Sequence, residues 1–417
     1  MRRTPLAAAA ALSLVLGTSA LAASAAPAPG SAPADLASAD TGKYVVVLED
    51  GAAAREIAAA HADRFGLDVG HVYTSALQGY SATMPASVAK VLEATPSVAW
   101  VQEDRAVATT AQTTPTGINR ANADASPTAR INGADERVDV DVAVIDTGVD
   151  LSHSDINVYR AGAKNCSVGA INANDLHGHG SHVAGTIGAI DNANGVVGMA
   201  PGARIWPVKV LTDAGTGLNS DVICGIDYVT ANADKIEVAN MSLGGSGTDD
   251  GNCGNSNNDA MHKAICRSVA AGITYVVAAG NDSADAKGFT PAAYDEVVTV
   301  SALADFNGLP GGGAPSTCRS DVDDTFANFS NYGADVDLIA PGVCIYSTSK
   351  LGGYATLSGT SMASPHVAGG AALYAATHPG ATPAQVKSAL QSAGSLDWSN
   401  ADDRDSTKER LLDASTF

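Results

Sequence analysis

With 417 residues, the chain is long enough for two to three domains of ordinary size. Its 24 Lys and Arg against 44 Asp and Glu give a formal net charge of -20, so its surface repels phosphate backbones and anionic lipid. Nucleic acid is therefore not an expected partner.

Met1-Arg2-Arg3, an Ala/Leu run to about Leu21 and then Ala23-Ser24-Ala25 read as the basic region, apolar region and A-x-A cleavage site of an export signal spanning residues 1–25. The apolar run is short and alanine-rich, and a Pro/Ala/Ser linker follows it, which disfavours a membrane anchor. A secreted chain with no membrane attachment after processing is expected.

Residues 42–106 read as a small βαββαβ unit, with a β-branched strand at 43–48, helices at 52–65 and 86–94, and a closing strand at 98–102. Residues 107–116, rich in Ala, Thr and Gln, read as a linker where a precursor is cut, with a mature start near Thr110. Beyond it, apolar strands at 138–145, 205–210, 238–241, 273–278 and 297–300 alternate with helices such as 182–190 and 221–231. That alternation predicts a parallel sheet covered on both faces. Sites in such sheets gather beyond the carboxyl ends of the strands, where Asp146 and Asn281 fall. A last alanine-rich helix is expected over 363–376, with Pro365 in its first turn and Ser361 just before it. Too few residues follow Ser361 for an added binding domain.

Three segments carry the chemistry: DVAVIDTG with Asp146, HGHGSHVAG with His179, and GTSMASPHVAGG with Ser361. A serine hydroxyl needs an imidazole to take its proton, and the imidazole needs a carboxylate to fix its tautomer. Asp146 ends an apolar run in which an unpaired carboxylate is costly. His177-Gly-His179-Gly-Ser181-His182 also approaches the H-x-H-x-D-H pattern of binuclear zinc hydrolases, with Ser181 where that pattern has Asp. Gly359-Thr-Ser361-Met-Ala363 is not a G-x-S-x-G elbow, which disfavours a lipase-like enzyme.

The chain order Asp, His, Ser resembles the subtilisin family, as do PVKVLTDAGTG, NMSLGG, VVAAGN and IAPG in the same order between residues 207 and 342. The resemblance covers nearly everything after Thr110. It implies an α/β, doubly wound, mostly parallel sheet over 110–417, preceded by an α+β propeptide of ferredoxin-like architecture (26–109) acting as inhibitor and folding chaperone. It implies a monomeric serine endopeptidase cutting protein and peptide substrates, with Ser361 as nucleophile, His179 as base, Asp146 as its orienter and Asn281 as an oxyanion donor beside the Ser361 amide. His182 becomes an interior packing residue.

Gly215, Thr216 and Gly217, with Ser242, Leu243, Gly244 and Gly245, offer main-chain edges for an extended peptide. Ser242 to Gly245, Ala278, Ala279, Gly280 and residues 288–290 form uncharged walls that suit an apolar or aromatic residue before the scissile bond. Asp155 and the 191–195 loop with Asn192 look like a calcium site, and Asp337 is a candidate for a second. Residues 246–258 and 307–324 are longer than in the simplest relatives. Six cysteines in an exported chain point to disulfides among 15 possible pairings. The favoured set is Cys253 with Cys266, Cys318 with Cys344, and Cys166 with Cys224.

Overall fold

The computed structural model describes residues 41–104, 111–405 and 407–417. The expected export signal and the cleavage point near Thr110 lie outside the described residues. Two compact units divide the chain, Met1–Ala108 and Thr109–Phe417.

In the first unit, β1 (Thr41–Leu48), α1 (Ala54–Phe65), β2 (Asp68–Tyr73), β3 (Gly79–Pro85), α2 (Ala86–Glu93) and β4 (Val98–Glu103) follow one another. The sheet order is β2-β3-β1-β4 with every pair antiparallel, the arrangement of a βαββαβ unit. Val46, Leu48, Ala58, Tyr80, Met84 and Leu92 fill the space between sheet and helices.

The second unit is built on parallel strands. They are β5 (Asp141–Asp146), β6 (Arg204–Lys209), β7 (Val238–Met241), β8 (Thr274–Ala278), β9 (Val298–Ala304), β10 (Leu338–Pro341) and β11 (Arg410–Leu411), in the order β11-β10-β9-β8-β7-β5-β6. From β5 the chain steps to β6 on one side, then returns to add β7 to β10 on the other. The order therefore reverses at β5, which opens a crevice at its carboxyl end.

Successive residues of β5 serve opposite cores. Val142 and Val144 pack with Val183, Ile187 and Val367 on one face, while Ala143 and Ile145 pack with Val222, Ile226, Met261 and Ile265 on the other. The first face is covered by α3 (His179–Gly188) and α6 (Thr360–Thr377), the second by α4 (Asn219–Thr230) and α5 (Ala260–Ala270). No described helix is long and apolar enough to cross a membrane.

One boundary corrects the sequence reading in a way that matters for the site. Helix α6 begins at Thr360, not Ala363, so Ser361 lies inside its first turn and Pro365 lies beyond it. Proline has no N–H to give the Ser361 carbonyl four residues back. That carbonyl instead accepts the Ser242 hydroxyl at 2.8 Å, which satisfies the helix and ties it to the end of β7.

Candidate active site

Asp146 closes β5 and is fully buried. Its Oδ1 accepts the Thr147 amide at 2.6 Å and His179 Nδ1 at 2.8 Å. The neutral ring therefore carries its proton on Nδ1 and leaves Nε2 as a lone pair, as a general base requires. Burial disfavours the imidazolium, but the charge and hydrogen bond of Asp146, with the charge of Asp175, outweigh it and hold the His179 pKa above its ordinary value.

The glycines around His179 allow close approach. A Cβ on Gly180 would sit 2.0 Å from the Gly148 carbonyl oxygen, and Gly148 itself turns the chain after Asp146 at φ +97. Asp175, which the sequence reading missed, fixes this contact. Its Oδ1 accepts the amides of His177 and Gly178 and the Thr147 hydroxyl, and its Oδ2 accepts the Ser181 amide and hydroxyl. Thr147 Oγ1 in turn accepts the Gly180 amide at 2.9 Å. An acidic residue just ahead of a helix start is the one sequence signal that pointed to it.

Asn281 follows β8. Its Oδ1 accepts the Thr360 amide at 2.8 Å and the Thr360 hydroxyl at 3.1 Å, so the amide NH₂ is the end left free to donate. A Cβ built on Gly359 would lie 3.7 Å from both Asn281 Nδ2 and the Ser361 amide nitrogen, so the two donors border one small space. Ser361 Oγ donates to the Ser242 carbonyl at 3.3 Å; a hydrogen bond from Ser361 to His179 is absent among the described residues.

Two cavities meet here. The larger, about 510 Å³, is lined by His179, Gly215, Thr216, Gly217, Ser242, Leu243, Gly244 and Gly245 among others. The smaller, about 210 Å³, is lined by Leu243, Gly244, Ala278, Ala279, Gly280, Asn281, Phe289 and Ser361, and they share Leu243, Gly244 and Thr290. All ten residues expected to meet a substrate line one or the other. Asp282, which lies outside the uncharged walls named from the sequence, also borders the smaller cavity and brings a carboxylate to its rim.

The three histidines of the zinc-like pattern do not converge. His177 and His179 meet edge to face with centroids 6.2 Å apart, whereas His182 Nε2 lies between the Ile345 and Ala355 carbonyls at 3.0 and 3.1 Å. Burial pushes the His182 pKa down to about 4, which keeps that ring neutral.

A model of the subtilase family matches residues 138–410. The chain belongs to the subtilase family. Subtilisin E of Bacillus subtilis (strain 168) is 38% identical over 315 residues, covering 75% of this chain and 74% of the relative. An extracellular serine proteinase of Thermus sp. (strain Rt41A) is 38% identical over 330 residues, covering 78% and 73%. The crystal structure of a cold adapted subtilisin-like serine proteinase matches with TM-score 0.55 at 34% identity, covering 72% of this chain and 97% of that one. The chain is thus a subtilisin-like serine peptidase with the doubly wound α/β fold.

The disulfides of this subtilase are Cys166–Cys224, Cys253–Cys266 and Cys318–Cys344, the favoured set. Around Asp155 several oxygen-bearing groups meet. Asn192 Nδ2 donates to Asp155 Oδ1 and to the Ile190 carbonyl, and Gln112 Nε2 donates to the carbonyls of Ile190 and Val196. Turning both amides end for end would present oxygens in place of nitrogens, so the donor set suits a hard cation. Gln112, in the unpatterned linker, was not foreseen.

Asp337 is a correction. Lys387 Nζ, on α7 (Pro383–Ala393), lies 2.8 Å from Asp337 Oδ2 and donates to the carbonyls of Val297 and Asp295 at 2.8 and 3.2 Å. An ammonium group already fills the place where a second cation was expected.

Proposed function

We propose that this subtilase is a secreted, broad-specificity endopeptidase made as a precursor, in which Asp146, His179 and Ser361 form the catalytic triad. The observation that carries the reading is the 2.8 Å Asp146–His179 contact at the carboxyl end of β5, facing a cleft that also holds Ser361 and the Asn281 amide. His179 Nε2 takes the Ser361 proton as Oγ attacks the peptide carbonyl, and returns it to the leaving amine. The Ser361–His179 contact tightens when substrate displaces the weak bond to the Ser242 carbonyl, as often occurs between free and bound enzymes. The oxyanion takes hydrogen bonds from the Ser361 amide, at the start of α6, and from Asn281 Nδ2.

Substrate lies as an added strand along residues 215–217 and 242–245, with its residue before the scissile bond in the smaller cavity. The apolar walls favour an apolar or aromatic side chain there, and Asp282 at the rim leaves room for a basic end. Residues 41–104 act as the inhibitory and folding-assisting segment of the precursor. Gln112, Asp155 and Asn192 with the Ile190 and Val196 carbonyls would hold calcium, which supplies charge that ties the N-terminal stretch of the second unit to the 190–196 loop.

Expression of Ser361→Ala tests this. The variant is expected to leave casein intact and to remain an uncut precursor, while the wild type matures and digests casein after brief chelation. Prompt loss of wild-type activity on zinc chelation together with inertness to a serine-directed fluoride, or a self-processing Ser361→Ala, contradicts the assignment.

A further inference from the structure

The stretch 246–258 carries two carboxylates, Asp249 and Asp250, onto a buried imidazole. His262, near the start of α5, is fully buried, and its ring is held by two neighbours. It stacks on Tyr294 with centroids 4.0 Å apart and planes 2° from parallel, and its Nε2 lies 2.9 Å from Glu296 Oε2. An ionised carboxylate only accepts, so Nε2 carries the hydrogen and Nδ1 of the neutral ring is a bare lone pair. That lone pair has no hydrogen-bond partner. It faces Asp249 Oδ1 and Asp250 Oδ1, each at 3.5 Å. Asp249 Oδ1 also accepts the Gly251 amide, and Asp250 Oδ1 the amides of Asn252 and Gly254, but the bare imidazole nitrogen still faces two carboxylates, an arrangement that repels unless a proton or a metal cation lies between them.

We propose that His262, Asp249 and Asp250 form a site for a divalent cation of the zinc class, with Glu296 orienting the imidazole. Nitrogen and oxygen ligands at about 2.1 Å from a tetrahedral ion stand about 3.4 Å apart, close to the spacing found. A histidine that gives its other N–H to a carboxylate is the usual support of a metal-bound imidazole. Calcium takes oxygen ligands and does not suit the ring nitrogen. The ligands are set in advance: Asp250 accepts the amides of Asn252, Gly254, Ser256 and Asn257, and Cys253–Cys266 clips the loop to the helix one turn beyond His262. Met261, next in the chain to His262, lines the larger cavity, so the ion would brace a wall of the cleft.

The test uses the full chain carrying Ser361→Ala, to prevent self-digestion, in saturating calcium so that oxygen-only sites are filled. Zn²⁺ and Co²⁺ are titrated, with bound metal read by elemental analysis and cobalt geometry by visible absorption. One equivalent with the intense spectrum of tetrahedral Co²⁺ is expected, lost in Asp249→Asn and weakened about 10–100-fold in Glu296→Gln. His262→Asn should also lose it, but because that position is buried, Asp249→Asn with an unchanged circular dichroism spectrum is the deciding variant. Equal metal retention in Asp249→Asn and its parent overturns the proposal. So does absence of a cobalt spectrum with stability that instead follows protonation of His262, since a proton would then fill the gap.

Discussion

A base must be neutral to accept a proton, and His179 is held above its ordinary pKa by Asp146 and Asp175. Its neutral fraction therefore falls at a higher pH than that of a free histidine. Turnover is expected to rise with pH through an inflection above the ordinary 6.5. Asp146→Asn removes the charge, so the inflection should move down, while the wrong ring tautomer lowers kcat by about 10⁴-fold; pH–rate profiles of the two proteins check both. Asn281 has its carbonyl end committed to Thr360, so Asn281→Ala should remove one oxyanion donor without disturbing substrate affinity. In subtilisin that loss costs about 10²–10³ in kcat, roughly 3–4 kcal/mol, and the same size, borrowed from that relative, is expected here with KM little changed.

At the scale of elements, Pro365 leaves the Ser361 carbonyl without its helical N–H partner, and the Ser242 hydroxyl takes that place. Ser242→Ala leaves the Ser361 carbonyl without that donor, so a loss of about 1–3 kcal/mol in unfolding free energy is expected, with reduced kcat because the nucleophile's turn is loosened. Unchanged denaturation and kcat would refute this link. The parallel strands and their flanking helices were legible because apolar runs such as Val142 to Ile145 are buried on both faces and need no alternation. The start of α6 was misplaced because Pro365 reads locally as a first-turn residue, and only Ser242, 119 positions away from Ser361, explains its position further in. Gln112 and Lys387 escape notice for the same reason, since their partners lie in distant segments; Asp175 binds mainly its near neighbours His177, Gly178 and Ser181, and its place ahead of a helix start is the one local signal that marks it.

Across the whole molecule, stabilisation rests on three disulfides and, on the proposed reading, on a calcium ion held near Asp155. Each disulfide typically contributes about 2–4 kcal/mol by restricting the unfolded chain. Calcium bound at the proposed site and present at one hundred times its dissociation constant would add about 2.7 kcal/mol by mass action. Asp155→Ala should therefore abolish most of the calcium dependence of Tm and leave turnover at 25 °C nearly intact, because the residue touches the 190–196 loop and not the cleft. A melting temperature that ignores calcium in the chelated wild type would return that loop to an ordinary solvated turn. The segments proposed to carry the triad are the most distinctive in the sequence: Asp146 ends a strand, and His179 and Ser361 lie in the first turns of helices that follow Gly178 and Gly359. Whether Ser361 is the nucleophile is decided by peptide mapping by mass spectrometry of the mature enzyme after a serine-directed fluoride. A single adduct on Ser361 is expected, formed in step with loss of activity and slowed sharply by Asp146→Asn. Full inactivation with the adduct on another residue, or an adduct on Ser361 with activity retained, would contradict it.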